Sequence, residues 1–235
     1  MDWWWAGRML ESNPVALVSW VVVVIGSIVL HELAHGWVAT RLGDDTPRLS
    51  GHLTINPLVH IPPMAWLLFA LFGFTWGQMP VNPARIRGRY GDAIVSLAGP
   101  LMNLLIAFGA IVALCIWIGF GQGHWVQGFR FEEPLFTNTA RFWMYAVVLN
   151  VILCLFNLLP VPPLDGFRIA ASVFPPVRRM LDSERGAQFG LLAFVLLFFF
   201  GAKYVVGFGA SIGGAAIGIA LGIVLPNADL PTFRV

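Results

Sequence analysis

Long apolar runs constrain this chain more than any other feature. A membrane-spanning helix needs about 20 predominantly apolar residues. Val15 to Val38, Ala93 to Phe120, Phe142 to Leu159, Leu191 to Val206 and Phe208 to Leu225 read as five spans. Pro160 ends the third, and a short Gly-containing turn separates the last two. Met64 to Trp76 is apolar but short for a crossing, which makes it a re-entrant or surface element and leaves six spans as the upper count. With 58% hydrophobic and 11% charged residues, the chain cannot cover its apolar surface with its own polar groups, so its natural solvent is lipid. The expected fold is therefore an all-α polytopic bundle of about five to six transmembrane helices. It forms a single domain over residues 1–235, with a core at about 15–170 and a C-terminal helical pair at about 187–225.

A net charge of +2 gives no reason to invoke nucleic acid. Cys115 and Cys154 lie inside apolar runs and read as packing residues rather than a disulfide framework. The start of the chain does not look like a cleaved leader: Arg8 is its only basic residue, and the apolar run that follows is long enough to span. Trp3, Trp4 and Trp5 suit a membrane interface. Gly214, Gly218 and Gly222 have the small-xxx-small spacing of a close helix contact.

Three spans carry polar residues in line: Ser27, His31 and His35; Asp92, Ser96, Gly99 and Asn103; Asn150, Cys154 and Asn157. Polar groups at membrane depth are costly against lipid, so these faces should meet inside the bundle. The first includes His31-Glu32-Leu33-Ala34-His35, an HExxH pattern on a helix. Its i, i+4 spacing puts two imidazoles one turn apart, where both can grip one zinc ion, with Glu32 beside them to take a proton from water. For a chain with five histidines and five glutamates, chance gives on the order of 0.002 such matches.

A catalytic zinc needs a third protein ligand. Asp2, Glu11, Glu132, Glu133 and Asp229 lie in terminal segments or a loop, and Asp44 and Asp45 read as a solvated turn. Asp165 stands out. It follows the third span in Asn157-Leu-Leu-Pro160-Val-Pro162-Pro163-Leu164-Asp165-Gly166, where prolines end the helix and Gly166 permits a turn back toward the bundle.

On these residues the chain resembles the site-2 protease family of intramembrane zinc metalloproteases. HELAHG on a membrane helix and the downstream N-x-x-P-x-x-P-L-D-G carry the likeness, with Gly51 to His60 and Ala98-Gly99-Pro100-Leu101-Met102-Asn103 as further matching motifs. Together they cover most of residues 15 to 170. The resemblance implies one zinc held by His31, His35 and Asp165, with Glu32 as general base and Asn157 on the substrate backbone near the scissile carbonyl. Asn103, on the core helix that supports the site, joins Asn157 and Thr54 as a candidate substrate-contacting residue. The compact form without PDZ or CBS domains is the branch most similar, although Gly77-Gln78-Met79-Pro80 lacks the lysine common there.

Gly51 to Asn56 alternates polar and apolar residues, which reads as a short strand able to receive an unwound substrate. His52, His60 and His124 read as loop residues. The expected substrate is a single-span membrane protein or peptide, cut from a multi-pass cell-membrane enzyme. With five spans, ten basic residues fall on the side of the zinc site and four on the other, which places the site toward the cytoplasm. The alternative is a non-proteolytic membrane metal-binding protein or transporter using the same histidine pair, which would have little use for Glu32.

Overall fold

Proline and asparagine start the first long helix. In the computed structural model Asn13 caps it by accepting from the Ala16 N–H at 3.0 Å, and Pro14 occupies the first turn, where its missing donor costs nothing. The structure describes residues 4–121, 134–174, 176–177, 179 and 184–226. Trp3, His124, Glu132 and Glu133, which figured in the sequence reading, lie outside them.

The described elements are α1 (Trp5–Ser12), α2 (Pro14–Arg41), two single turns α3 (Thr46–Leu49) and α4 (Pro57–His60), and α5 (Pro63–Phe72). After these come α6 (Gly91–Gly121), α7 (Leu135–Asn157), α8 (Asp165–Val173), α9 (Glu184–Leu196) and α10 (Ala202–Val224). Pro14–Arg41, Gly91–Gly121, Leu135–Asn157 and Gln188–Val224 are long and apolar enough to cross a membrane. The chain is thus an all-α polytopic membrane protein. Among the described residues there are four such helices where five were expected, because a π-helical turn, Leu197–Gly201, joins α9 to α10 without a break. Glycine alone did not stop the helix.

The core lies where α2, α6 and α7 pack, around Leu114, Ile118, Ala140 and Val147. Val18, Val22, Leu101, Leu105, Phe108 and Ile116 face outward, as side chains in contact with lipid tails should. Helix α10 packs on α7 through Gly209, Gly213, Ile217 and Leu221. A Cβ on Gly209 would stand 2.7 Å from Ile152 Cγ1, and one on Gly213 would stand 3.1 Å from Val148 Cγ2. Gly214, Gly218 and Gly222, the series singled out by spacing, meet nothing within 4 Å.

The segment after α2 turns back on itself. Helix α5 has ten residues, about 15 Å long, and cannot cross. Its buried positions Ala65 and Phe69 face the core, continuing the line of Ile61. At its end Gly73 is left-handed, with φ 78°, and Trp20 Nε1–H donates to the Gly73 carbonyl at 2.8 Å. Trp4 and Trp5 donate to the Ala70 carbonyl at 2.7 and 3.2 Å. From there the chain returns as a non-helical segment, 74–82, whose Gln78 N–H reaches the His60 carbonyl at 2.8 Å. The segment thus turns back at Gly73 rather than continuing as a span.

Three local expectations are corrected. Residues 51–56 form a turn and bends, with no strand among the described residues; the His60 ring and the Asn56 N–H bind Thr54 in place of a partner strand. His60 is wholly buried: its Nε2–H donates to the Thr54 carbonyl at 2.6 Å. Asp44 is also wholly buried, while Asp45 is the exposed one, paired with Arg48. Asp44 accepts from the Asn82 N–H at 2.7 Å and from both Thr46 donors, which ties the end of α2 to the returning segment. Burial works to raise its pKa, but the bonds from Thr46 and Asn82 and the charge of Arg85 bring it below the ordinary carboxylate value. A carboxylate depressed in this way stabilises the fold above its unfolded pKa and loses that contribution as pH falls through its folded pKa.

The α7–α10 contact makes a direct prediction. Gly209→Leu should lower stability in detergent by about 1–3 kcal/mol, the usual cost of overpacking. Gly214→Leu should leave the melting temperature unchanged. Equal melting of the two variants by circular dichroism would show that α10 does not use this face.

Candidate active site

Every residue from His31 to Gly36 on α2 is buried, because α6 and the returning segment cover this stretch of the helix. The HExxH spacing places His31 and His35 one turn apart, with Nε2 to Nε2 3.0 Å. Asp165 Oδ2, carried by the first turn of α8, lies 3.1 Å from His31 Nε2 and 3.4 Å from His35 Nε2. One ligand atom from each residue thus falls within 4.8 Å of the others. Gly166 acts here through packing: a Cβ would collide with the Leu158 carbonyl at the end of α7.

The far nitrogens of both rings are engaged by α6. His35 Nδ1 lies 2.7 Å from the Val95 carbonyl, which can only accept, so this nitrogen carries the proton. His31 Nδ1–H donates to Asn103 Oδ1 at 2.6 Å. In the neutral rings both Nε2 atoms are then bare, and they face each other and a carboxylate oxygen. Three acceptors without a proton among them repel, and a cation between them removes the repulsion. Their separations suit donors sharing one zinc at about 2.0–2.2 Å each. The donor set of two imidazoles and one carboxylate therefore fits zinc.

Val95, Gly99 and Asn103 follow i, i+4, i+8 on α6, so Gly99 sits between the two ring partners. A Cβ there would fall inside the contact distance of both Nε2 atoms. Pro100 contributes nearby: it cannot donate to the Ser96 carbonyl, which loosens the helix ladder next to the Val95 carbonyl used by His35.

Glu32 is buried under the returning segment. A Cβ on Gly77 would stand 2.7 Å from Glu32 Oε1, so only glycine lets the backbone pass this close. At the next turn of α2, Gly36 meets Leu53 and Met79. Nothing in the residue pattern pointed to Gly77 as a neighbour of Glu32. Gly99 was legible as part of a polar stripe, but its steric role was not.

The other anticipated residues fall into place unevenly. Asn103 is wholly buried and both ends of its amide are spent, on His31 and on Asn150. It thus supports the ring and presents no surface to a substrate. Asn157, the last residue of α7, is partly exposed, and its amide donates to the Leu153 carbonyl one turn back at 3.0 Å. Thr54 lies in the bend above His60 rather than among the metal-facing groups. Arg168 reaches Asp92 at 3.2 Å, fastening the helix that bears Asp165 to the start of α6.

Gly99→Ala should abolish metal binding while Gly109→Ala, which meets nothing within 4 Å on the same helix, should not. Elemental analysis of the purified proteins checks this. A full complement of zinc in Gly99→Ala would mean that the close approach is not required.

Comparison with known proteins agrees with the geometry. The family model for peptidase family M50 matches residues 123–201, the part that holds Asn157 and Asp165. The Bacillus subtilis (strain 168) protein YwhC, whose name places it among the zinc metalloproteases, is 37% identical over 190 residues, covering 79% of this chain and 82% of YwhC. Rip2 of Mycolicibacterium smegmatis, named in the same way, is 31% identical over 197 residues, 79% of this chain and 70% of its own. Zinc metalloprotease Rip1 of Mycobacterium bovis is 49% identical over 194 residues, but these are 76% of this chain and only 41% of Rip1. No solved structure gives a significant match. With two bare imidazole nitrogens and a carboxylate converging beside a buried glutamate, and with relatives of this extent, the chain belongs to peptidase family M50, the site-2 protease family of zinc metalloproteases.

Proposed function

We propose that this protein hydrolyses peptide bonds in membrane-spanning substrate segments, at a site near the cytoplasmic face of the bilayer. The single observation that carries the reading is the position of the His31, His35 and Asp165 donors, with Glu32, inside a bundle of membrane-length helices. A soluble substrate would have no reason to be cut there.

His31, His35 and Asp165 would hold the zinc through the three atoms that converge. When bound, the metal polarises the scissile carbonyl and lowers the pKa of its water. Glu32 would act as general base, taking a proton from the attacking water and passing it to the leaving amine. Glu32 follows His31 directly on α2, and its carboxylate lies against the Gly77 backbone. Asn157, partly exposed at the end of α7, offers an amide N–H, now turned onto Leu153, that can swing to the substrate backbone.

A substrate helix hides its carbonyls in i to i−4 bonds and must unwind before cleavage. Non-helical backbone is tolerated at membrane depth only when buried or lining a wet cavity. Residues 74–82 are such a segment, and they pass beside Glu32. They supply main chain on which an unwound substrate can align, the role that residues 51–56 were expected to have.

The cytoplasmic placement rests on charge. Arg41, Arg48, Arg85, Arg87, Arg89 and Arg168 belong to the ends and loops around the site, whereas Arg8 and Arg141 lie toward the other end. Lys203 moves between the two groups: α10 runs antiparallel to α7 with Gly209 beside Ile152, so Lys203 lies toward the site end.

Glu32→Gln should keep its zinc and lose at least 10²-fold in cleavage of single-span substrates by the purified protein, since it removes the proton acceptor and no metal ligand. Turnover near wild type would remove Glu32 from the chemistry. Sidedness is tested separately. Cysteines introduced at Arg87 and Val173 should react with an impermeant thiol reagent only from the cytoplasmic side, and one at Glu11 only from the outside. Labelling of Arg87 and Val173 positions from opposite faces would end the proposed topology.

A further inference from the structure

A chain of amides crosses the bundle behind the metal-facing groups. Ser27 on α2, Asn150 on α7 and Asn103 on α6 are all buried, the two asparagines with no exposed surface. Asn150 Nδ2 donates to the Ala146 carbonyl at 2.8 Å and to Ser27 Oγ at 2.9 Å. Asn150 Oδ1 accepts from Asn103 Nδ2 at 2.9 Å, and Asn103 Oδ1 accepts from His31 Nδ1–H at 2.6 Å.

An asparagine amide has a donor end and an acceptor end of the same shape, so either could face a neighbour. Here one atom removes the choice. The Ala146 carbonyl is a pure acceptor and must face the NH₂ of Asn150. The oxygen of Asn150 then faces Asn103, which must present its own NH₂ in return. That leaves the oxygen of Asn103 toward His31, and an acceptor there requires a proton on Nδ1. Nε2 is thereby left with its lone pair exposed toward Asp165 and His35.

We propose that Asn150, which touches neither metal nor substrate, is a positioning residue that sets the tautomer of His31 from two hydrogen bonds away, using the Ala146 carbonyl as its reference. His35 needs no such relay, because the Val95 carbonyl fixes it directly. The arrangement keeps His31 ready to bind a cation before any cation arrives. Reversal of the two amides would offer His31 a donor, move the ring proton to Nε2, and block the ligand atom. The inference rests on His31 being a metal ligand.

The test is the zinc affinity of the purified full chain in detergent, stripped of metal and titrated against a chromophoric chelator. Asn150→Leu frees Asn103 to turn over and should weaken zinc about 10- to 100-fold, the usual effect of losing an outer partner of a ligand. Adding Asn103→Asp should restore affinity to within a few-fold of wild type, because a carboxylate can only accept and needs no reference atom. The same Asn103→Asp in the presence of Asn150 sets two oxygens against each other and should not improve binding. A role confined to helix packing predicts no rescue by a second buried substitution. Visible spectra of the cobalt(II) forms should show the wild-type ligand field returning in the double variant.

Undiminished zinc affinity in Asn150→Leu would overturn the proposal, and so would failure of the folded double variant to recover. Should Asn150→Leu alone not fold, the comparison moves to Asn103→Asp/Asn150→Leu against Asn103→Leu/Asn150→Leu. These differ only in the acceptor at 103, and the first should bind zinc 10- to 100-fold more tightly. Equal affinities would again overturn it. His31→Ala separates this inference from its premise: zinc retained there would remove His31 as a ligand, whatever Asn150 does.

Discussion

Asp165 meets His31 and His35 across 134 residues of sequence, at 3.1 and 3.4 Å. That meeting governs the topology. The histidines lie late in α2 and the aspartate follows the end of α7, so both helices must finish at the same end of the bundle. Helix α6 starts there and runs away, α7 runs back, and the segment between α2 and α6 must return to the end it left. A crossing by α5 would have put the ligands on opposite sides. The fold instead turns at Gly73 and fastens that turn with indole N–H donors from Trp4, Trp5 and Trp20 to the Ala70 and Gly73 carbonyls. Asp44 and His60 then hold the returning backbone at its other end.

Helix α6 orders the histidine side of the site. In lipid the hydrophobic effect does little to bring helices together, so close packing and buried hydrogen bonds must do more. One face of α6 supplies a carbonyl, a gap and an amide at 95, 99 and 103. The carbonyl and amide fix the two rings, and the gap leaves room for what they bind. The same face therefore joins helices and organises the chemistry, and a substitution there would affect both. Glu32 lies against Gly77 instead, so the returning segment and α6 each hold a different part of the HExxH turn.

Much of the site was legible before any coordinates. HExxH is a local pattern whose spacing is set by 3.6 residues per turn, and Asp165 was marked by the prolines and glycine around it. The polar stripes were legible too, since a buried amide at membrane depth implies a partner. What could not be read were the identities of non-local partners. Thr54 sits in an alternating stretch, but six residues of alternation make a strand only if another strand is present. Here a histidine ring took the carbonyl. Asp44 and Asp45 are neighbours of one kind, and only the position of Asn82 in space makes the first buried and the second exposed. Gly214 and Gly213 differ by one residue and about 100° around α10, a phase that composition does not determine. The continuous α9–α10 rod was missed because glycine weakens a helix by only about 1 kcal/mol, which apolar neighbours easily offset.

Polarity inside the bundle follows a rule that explains why these few groups survive there. Each buried amide costs about 1–3 kcal/mol if left unpaired, so a partly satisfied network would be worse than leucine. Asn103 and Asn150 escape this by bonding at both ends, and their chain is anchored on a backbone carbonyl and ends on an imidazole. At the imidazole the rule is suspended. With both rings neutral, two imidazole nitrogens and a carboxylate oxygen face one another there, an arrangement that a fold selected for stability alone would replace. The amides around it are satisfied, and the three converging donors are placed to take a metal ion. The cost of assembling the ligands is thus carried by the protein in advance. A cation that arrives meets rings already oriented, with the lone pairs exposed and the space beside Gly99 open.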